Sequence, residues 1–199
     1  MNLEKKLKCC LLLLMSLGVM TVLPAQTFKA MLVFGGNLSQ IDGDKLGGFN
    51  KVGLNAGLRV SADLTERWSL STEFLYSQQG ASAVPTDFGS VYDKIRLQFV
   101  EVPLMVNFSD WKVLASGGVS YNRLARYEVI NLVGEDITDS EKYNSNLFSI
   151  VFGATFFLSE KWGLNIRWSK SMNSLRETTE ANPTRFLTRN IGIRMYYII

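Results

Sequence analysis

Val52-Gly53-Leu54-Asn55-Ala56-Gly57-Leu58-Arg59-Val60-Ser61-Ala62-Asp63-Leu64 alternates without exception. Val, Leu and Ala hold the even positions; Gly, Asn, Arg, Ser and Asp hold the odd ones. Successive side chains of a strand point to opposite faces, so this stretch is a strand with one apolar and one polar face, not a helix. At about 3.3 Å per residue it reaches roughly 43 Å, and a tilt of about 45° leaves a rise of about 30 Å. That crosses the ~25 Å apolar band of a membrane barrel, whereas strands of water-soluble domains average only about 5–6 residues.

The same period recurs in Phe28–Leu38, Trp68–Gln79, Lys94–Phe108, Trp111–Asn122, Asn146–Leu158, Trp162–Ser171 and Leu187–Ile199, predicting eight strands. The connections sharpen the reading. Short charged turns ending in Trp follow strands two, four and six: Thr65-Glu66-Arg67-Trp68, Ser109-Asp110-Trp111 and Ser159-Glu160-Lys161-Trp162. Long polar loops follow strands one, three, five and seven: Ser39–Lys51, Gly80–Asp93, Arg123–Ser145 and Met172–Phe186. Strict alternation of short and long connections is the pattern of an even-stranded outer-membrane barrel, with turns in the periplasm and loops outside. Trp concentrates where hydrocarbon meets water. Trp68, Trp111 and Trp162, with Tyr196 and Tyr197 near the end of the last strand, are therefore expected to form a periplasmic aromatic girdle. The fold class is all-β, an eight-stranded antiparallel up-and-down transmembrane β-barrel.

A soluble lipocalin-like barrel also has eight alternating strands, but it would turn its apolar face inward around a ligand. The polar face here is rich in Gly, Ser and Asn with a few charges, which suits a narrow interior better than a solvated exterior.

Residues 1–25 read as a cleaved signal peptide and 26–199 as the barrel domain: Lys5, Lys6 and Lys8 precede the apolar run Cys9–Leu23, and Ala25 precedes a cut before Gln26. At 15 residues, broken by Ser16, Gly18 and Thr21, the run is short for a spanning helix. The full chain has 21 basic and 18 acidic residues; three Lys and one Glu fall in 1–25, leaving a net of +1. That balance gives no support for nucleic-acid binding. Both cysteines, Cys9 and Cys10, belong to the leader, and the chain has no His. Disulfides, thiolate metal sites and His-dependent hydrolases are thereby excluded from the mature domain. No cofactor and no metal are expected.

The fourth strand breaks its own pattern. Ile95, Leu97 and Phe99 share one parity, and Val100, Val102, Leu104, Val106 and Phe108 take the other. A one-residue slip flips the face, so a β-bulge is predicted at Phe99 or Val100, with Pro103 just beyond, where a closed sheet normally needs an N–H. Glu101-Val102-Pro103-Leu104 in this setting resembles the Glu-Ile-Pro-Leu stretch of the PorT-like outer-membrane β-barrel family. Gly35-Gly36-Asn37-Leu38-Ser39, the hairpin from Val52 through Trp68-Ser69-Leu70, and Tyr76-Ser77-Gln78-Gln79-Gly80 are also similar to that family. The resemblance spans the mature chain and implies an eight-stranded outer-membrane barrel with no shared catalytic activity. The chain ends Tyr197-Ile198-Ile199, where such barrels favour a terminal aromatic.

With the apolar parity facing lipid, Arg59, Glu73, Glu101, Arg167 and Arg194 enter the lumen. Counting from the turns places all five at similar depth and sets Arg59 opposite Glu73. Two readings follow: an ion-pair layer that plugs a lumen of a width that side chains can fill, or a constriction for a small polar solute. Enzymatic readings are weaker. Ser109-x-x-Lys112 lies on a turn rather than a helix, and Glu73 with Glu101, though a carboxylate pair, would be buried beyond reach of a polysaccharide. Glu135, Asp136, Asp139 and Glu141 could at most hold a weak Ca²⁺. Specific function is expected in the loops, above all 123–145, where Tyr127, Ile130, Leu132 and Val133 could bind an envelope protein partner or fold over the barrel mouth. The expected protein is a monomeric, non-enzymatic barrel in outer-membrane lipid.

Overall fold

The computed structural model describes residues 27–85, 87, 89–177 and 184–199. The leader and its cut lie outside these residues. Eight antiparallel strands form one closed barrel in chain order: β1 (Phe28–Asp42), β2 (Lys51–Asp63), β3 (Trp68–Ser82), β4 (Tyr92–Asp110), β5 (Val113–Asn131), β6 (Asn146–Phe157), β7 (Trp162–Ser171) and β8 (Leu187–Ile198). Closure is made by β1 on β8, with Met31 opposite Ile198 and Asp42 opposite Leu187. The apolar parity of the central strands faces outward. Leu54, Leu58, Val60, Phe74, Leu104, Val106, Phe152 and Ile166 are exposed, while Asn55, Arg59, Ser61, Glu73, Asn107, Asn165 and Arg194 are buried. Such an inside-out distribution fits a hydrocarbon solvent and rules against the lipocalin-like orientation.

The two Trp turns that open β3 and β7 are built alike. Leu64 and Thr65 N–H both donate to the Trp68 carbonyl, and Trp68 N–H donates to Thr65 Oγ1 at 3.0 Å. Leu158 and Ser159 N–H donate to the Trp162 carbonyl, and Trp162 N–H donates to Ser159 Oγ at 3.2 Å. A hydroxyl three residues before each Trp thus closes the turn and fixes the register. The middle turn differs. Asp110 pairs with Val113, so Trp111 and Lys112 form the turn itself, and Trp111 has φ 53°, left-handed for a residue with a Cβ. β5 therefore begins at Val113 and not at Trp111.

β4 and β5 are 19 residues long and rise above their neighbours as a hairpin. The first nine of the 23 residues of the predicted third loop are strand, because β5 runs to Asn131, whereas its pairing with β6 ends at Arg123–Asn146. The rest of that loop folds back: Leu124 N–H donates to the Ser145 carbonyl, Ile137 N–H to that of Val129, and Ile130 bridges Asp136.

The parity break in β4 has a different cause from the one predicted. β4 alternates straight through it, with Ile95, Leu97, Phe99, Glu101 and Met105 all buried. What inverts is the surroundings: above the membrane the barrel interior is an apolar core and its exterior is polar. The register shift does lie beside Phe99, but the extra residue is Ala125 of β5, because Gln98 faces Arg126 and Phe99 faces Leu124. Pro103 leaves its own mark. The β3–β4 ladder pairs Thr72 with Leu104 and Leu75 with Glu101, and skips the two residues between.

Candidate functional site: the filled lumen and its two ends

β2 and β3 bring Arg59 and Glu73 face to face, β7 supplies Arg167, and β8 supplies Arg194 and Tyr196. Glu73 is the hub. Oε1 accepts from Arg167 Nη2 at 2.8 Å and Arg59 Nη1 at 3.0 Å, and Oε2 accepts from Arg194 Nη1 at 3.2 Å. Tyr196 OH donates to Glu73 Oε1 at 3.1 Å and accepts from Arg194 Nη2 at 2.8 Å. Asparagines hold the outer ends of the forks. Arg59 Nη2 donates to Asn107 Oδ1 at 2.8 Å and Arg194 Nε to Asn165 Oδ1 at 3.1 Å.

Two sequence expectations need correction. Tyr196 is fully buried in the lumen and is no part of a periplasmic girdle. It shares the parity of Arg194, two residues earlier, so an inward Arg194 requires an inward Tyr196. Tyr197 instead packs with Trp162, their ring centroids 4.8 Å apart, while Trp68 packs against Phe108 at 5.0 Å and Trp111 against Phe156 at 6.3 Å. Glu101, for its part, is buried but has no Arg within ion-pair distance. It accepts from Gln79 Nε2, in a polar tier where Asn37 donates to Ser77 at 3.1 Å and Asn122 to Ser149 at 2.7 Å. The asparagines and Tyr196 carry much of the site, and the strand parity that Asn107 shares with Glu101, Asn165 with Arg167 and Tyr196 with Arg194 was the signal that could have found them.

Above this tier, at the end of the barrel that carries the long loops, lies an apolar cap. Ile41, Ile95, Leu97, Phe99, Val129 and Leu147 from the strands pack with Leu46, Tyr143, Leu175 and Phe186 from the loops. Tyr92 OH donates to Glu141 Oε1 at 2.6 Å, Tyr127 OH to the Glu141 carbonyl at 3.0 Å, and Arg176 Nε stands 3.7 Å from Glu141 Oε2. Asn144 N–H donates to the Leu175 carbonyl, which stitches the third loop to the fourth. Asp44 of the first loop is buried there, taking Leu46 N–H at 2.8 Å on Oδ1. Burial pushes its carboxyl up to about 7, with Asp87 and Asp42 adding to the effect. Burial and the neighbouring Glu141 carboxylate likewise push the Tyr92 and Tyr143 hydroxyls up.

The predicted acidic cluster disperses: Glu135 takes Asn131 Nδ2, Asp136 takes Thr138 N–H, and Glu141 joins the cap. Among the described residues no three acidic groups gather where they could hold a metal ion. Ser109, on β4, is paired with Leu114, and Lys112 is the second residue of the Trp111 turn. Of the loop residues, Tyr127 packs against the apolar cluster at the mouth, while Leu132 and Val133 stand exposed beside Val91 in the turn that follows β5.

A closed eight-stranded sheet, apolar outside and polar inside, defines an integral β-barrel of the outer-membrane class. The chain belongs to the outer membrane protein beta-barrel domain family, whose model matches residues 9–194. No match is found among curated proteins. Among solved structures, Neisserial surface protein A aligns with a TM-score of 0.55 at 12% identity, covering 87% of this chain and 99% of its own. Ail, the attachment invasion locus protein of Yersinia pestis, aligns with a TM-score of 0.51 at 10% identity, covering 86% and 98%. At these identities the likeness is one of fold. The protein is an eight-stranded barrel of the bacterial outer membrane.

Proposed function

We propose that this barrel is a plugged, non-enzymatic, monomeric membrane platform that acts through its extracellular hairpin as an accessory of an envelope assembly, within the PorT-like type suggested by Glu101-Val102-Pro103-Leu104. The observation that carries the reading is side-chain packing at three levels of the barrel interior. The Glu73 layer binds three Arg, the Asn and Ser tier lies above it, and the apolar cap closes the mouth. A solute would have to break buried ion pairs and displace a packed core. The carboxylates a glycosidase would need are engaged, Glu73 by three cations and Glu101 by Gln79. The outward route for function is the open end of the β4–β5 pair, where the turn that follows β5 presents Leu132 and Val133 beside Val91.

Planar-bilayer recording of the refolded barrel tests the plug: no conductance steps and no passage of small sugars are expected, and sugar flux through the wild type would sink it. Crosslinking in whole cells from Leu132 and Val133 tests the platform. A discrete envelope protein trapped from these two positions, but not from Phe74 on the lipid face, is the expected result.

A further inference from the structure

The outward wall of the barrel turns from apolar to basic at one level. Phe74, Val102, Leu104 and Tyr121 are exposed on the lipid face. Above them Tyr76, Val100 and Arg123 stand level on β3, β4 and β5; the next outward row is Gln78, Gln98 and Arg126, and the next Gly80, Arg96 and Glu128. Gln78 is ten residues above Trp68, and Gln98 ten above Phe108. At about 3.3 Å per residue and a tilt of about 45°, both stand roughly 23 Å from the short-turn rim, at the edge of an apolar band of ~25 Å. A cavity of about 460 Å³ indents the wall there, lined by Lys51 of β2 with Gln78, Arg96, Gln98, Arg126 and Glu128. Its three cations face one carboxylate, Glu128, which Arg96 holds at 2.8 Å. Lys94, two residues before Arg96, acts on Lys51 as a further like charge. Among the described residues Lys51, Lys94 and Arg126 form no ion pair and donate no side-chain hydrogen bond, and Arg96 donates only from Nη1. Arg126 also borders Asp136 and Asp139 on its far side, outside ion-pair distance, so the uncompensated charge is centred on Lys51, Lys94 and Arg96. A cleft lined by one sign of charge draws counter-ions.

We propose that this cleft seats the phosphate of a membrane lipid: Lys51, Lys94, Arg126 and the free N–H groups of Arg96 surround the phosphate oxygens, and the acyl chains run down over Val100, Val102 and Tyr121. Guanidinium and ammonium groups make their strongest hydrogen bonds to such oxygens, and basic pockets at the membrane surface recognise anionic headgroups. A lipid fits better than a free anion because the floor of the cleft runs without a break into the lipid face at Tyr76 and Val100. With long loops on the outside, as barrels of this class place them, the lipid belongs to the outer leaflet. The site lies on the wall of the barrel, below the turn that follows β5, so it stands whether or not Leu132 and Val133 meet a partner.

Dioleoyl phosphatidic acid is the probe, titrated into the refolded barrel in a non-ionic detergent and counted by native mass spectrometry. One phosphatidic acid per barrel is expected to be held at least about tenfold more tightly than dioleoyl phosphatidylcholine, since each cation near a membrane surface is worth about fivefold. The triple variant Lys51→Gln, Lys94→Gln, Arg126→Gln should erase that preference; Arg96 is left in place to keep Glu128 paired. The triple variant Arg67→Gln, Lys112→Gln, Lys161→Gln makes the same charge change at the short-turn rim and should keep it. Gel mobility of unheated samples verifies that both are folded. Equal retention of the two lipids, or equal loss in the two triple variants, would overturn the proposal. So would glycerol phosphate held as tightly as phosphatidic acid, which would leave the acyl chains no part in binding.

Discussion

Glu73→Ala removes one carboxylate and strands three guanidinium groups. Deleting one partner of a buried pair costs about 3–5 kcal/mol, because the other charge stays behind without compensation. Here the 2.8, 3.0 and 3.2 Å pairs all end on the same residue, and a loss of about 4 kcal/mol, in the middle of that range, is expected. With a urea slope of about 2 kcal/mol per molar, the unfolding midpoint falls by roughly 2 M. Equilibrium unfolding in lipid vesicles, followed by tryptophan fluorescence and by gel mobility of unheated samples, measures it. The sharpest control is Glu101→Gln, an equally buried carboxyl whose hydrogen-bond partner Gln79 is neutral, so its midpoint should move by less than half as much. Bilayer recordings of Glu73→Ala should still show no large conductance, since the three Arg and the apolar cap remain. A Glu73→Ala midpoint within about 0.3 M of wild type, or an equal loss in Glu101→Gln, would refute the view that Glu73 organises the lumen by charge.

Tyr196→Phe removes a hydroxyl that bonds Glu73 and Arg194, and should cost about 1–3 kcal/mol in the same unfolding assay. Gly57→Ala would place a Cβ 2.0 Å from the Phe74 carbonyl oxygen, so β2 and β3 must separate; loss of most folded material on the mobility gel is expected, whereas Gly192→Ala, with nothing nearer than 3.8 Å, should fold normally. Asp44 has its carboxyl raised by burial to about 7, so the folded cap holds a proton that the exposed loop releases. The contribution is complete below the ordinary aspartate value and is lost as pH rises through about 7. Amide exchange of residues 43–50, corrected for its intrinsic pH dependence, should therefore be faster at pH 8 than at pH 5.5, and Asp44→Asn should flatten the difference.

Where lipid is the outer solvent, the sequence was a reliable guide. From Val52 to Leu64 hydrocarbon and lumen make opposite demands on alternate residues, so the period of two reports both strand and orientation. Turn length then placed Arg59 against Glu73. The guide failed where the solvent changes. Above the membrane the hairpin has water outside and packed loops inside, so Ile95, Leu97 and Phe99 look like a slipped register although their strand is continuous. Residues 123–131 read as loop because Arg123, Arg126 and Glu128 carry no lipid-facing signature, yet they are strand, paired to β4 on one side. Tyr196 was misplaced by residue type against parity: tyrosine suggests an interface, but two residues from an inward arginine only an inward direction is open to it.

The third loop doubles back along the exposed side of β5, joining Val129 to Ile137 and Leu124 to Ser145, while Ala83 N–H reaches the Asp93 carbonyl on the other flank. In a crowded outer leaflet, a raised hairpin with bare flanks would invite neighbouring chains to extend its sheet. Both flanks carry hydrogen bonds to the protein's own backbone, at Leu124, Val129 and Ile130 on one side and Asp93 on the other, which disfavours a partner that docks by adding a strand. Recognition at this end falls mainly to side chains, and the barrels can crowd together without zipping into one another.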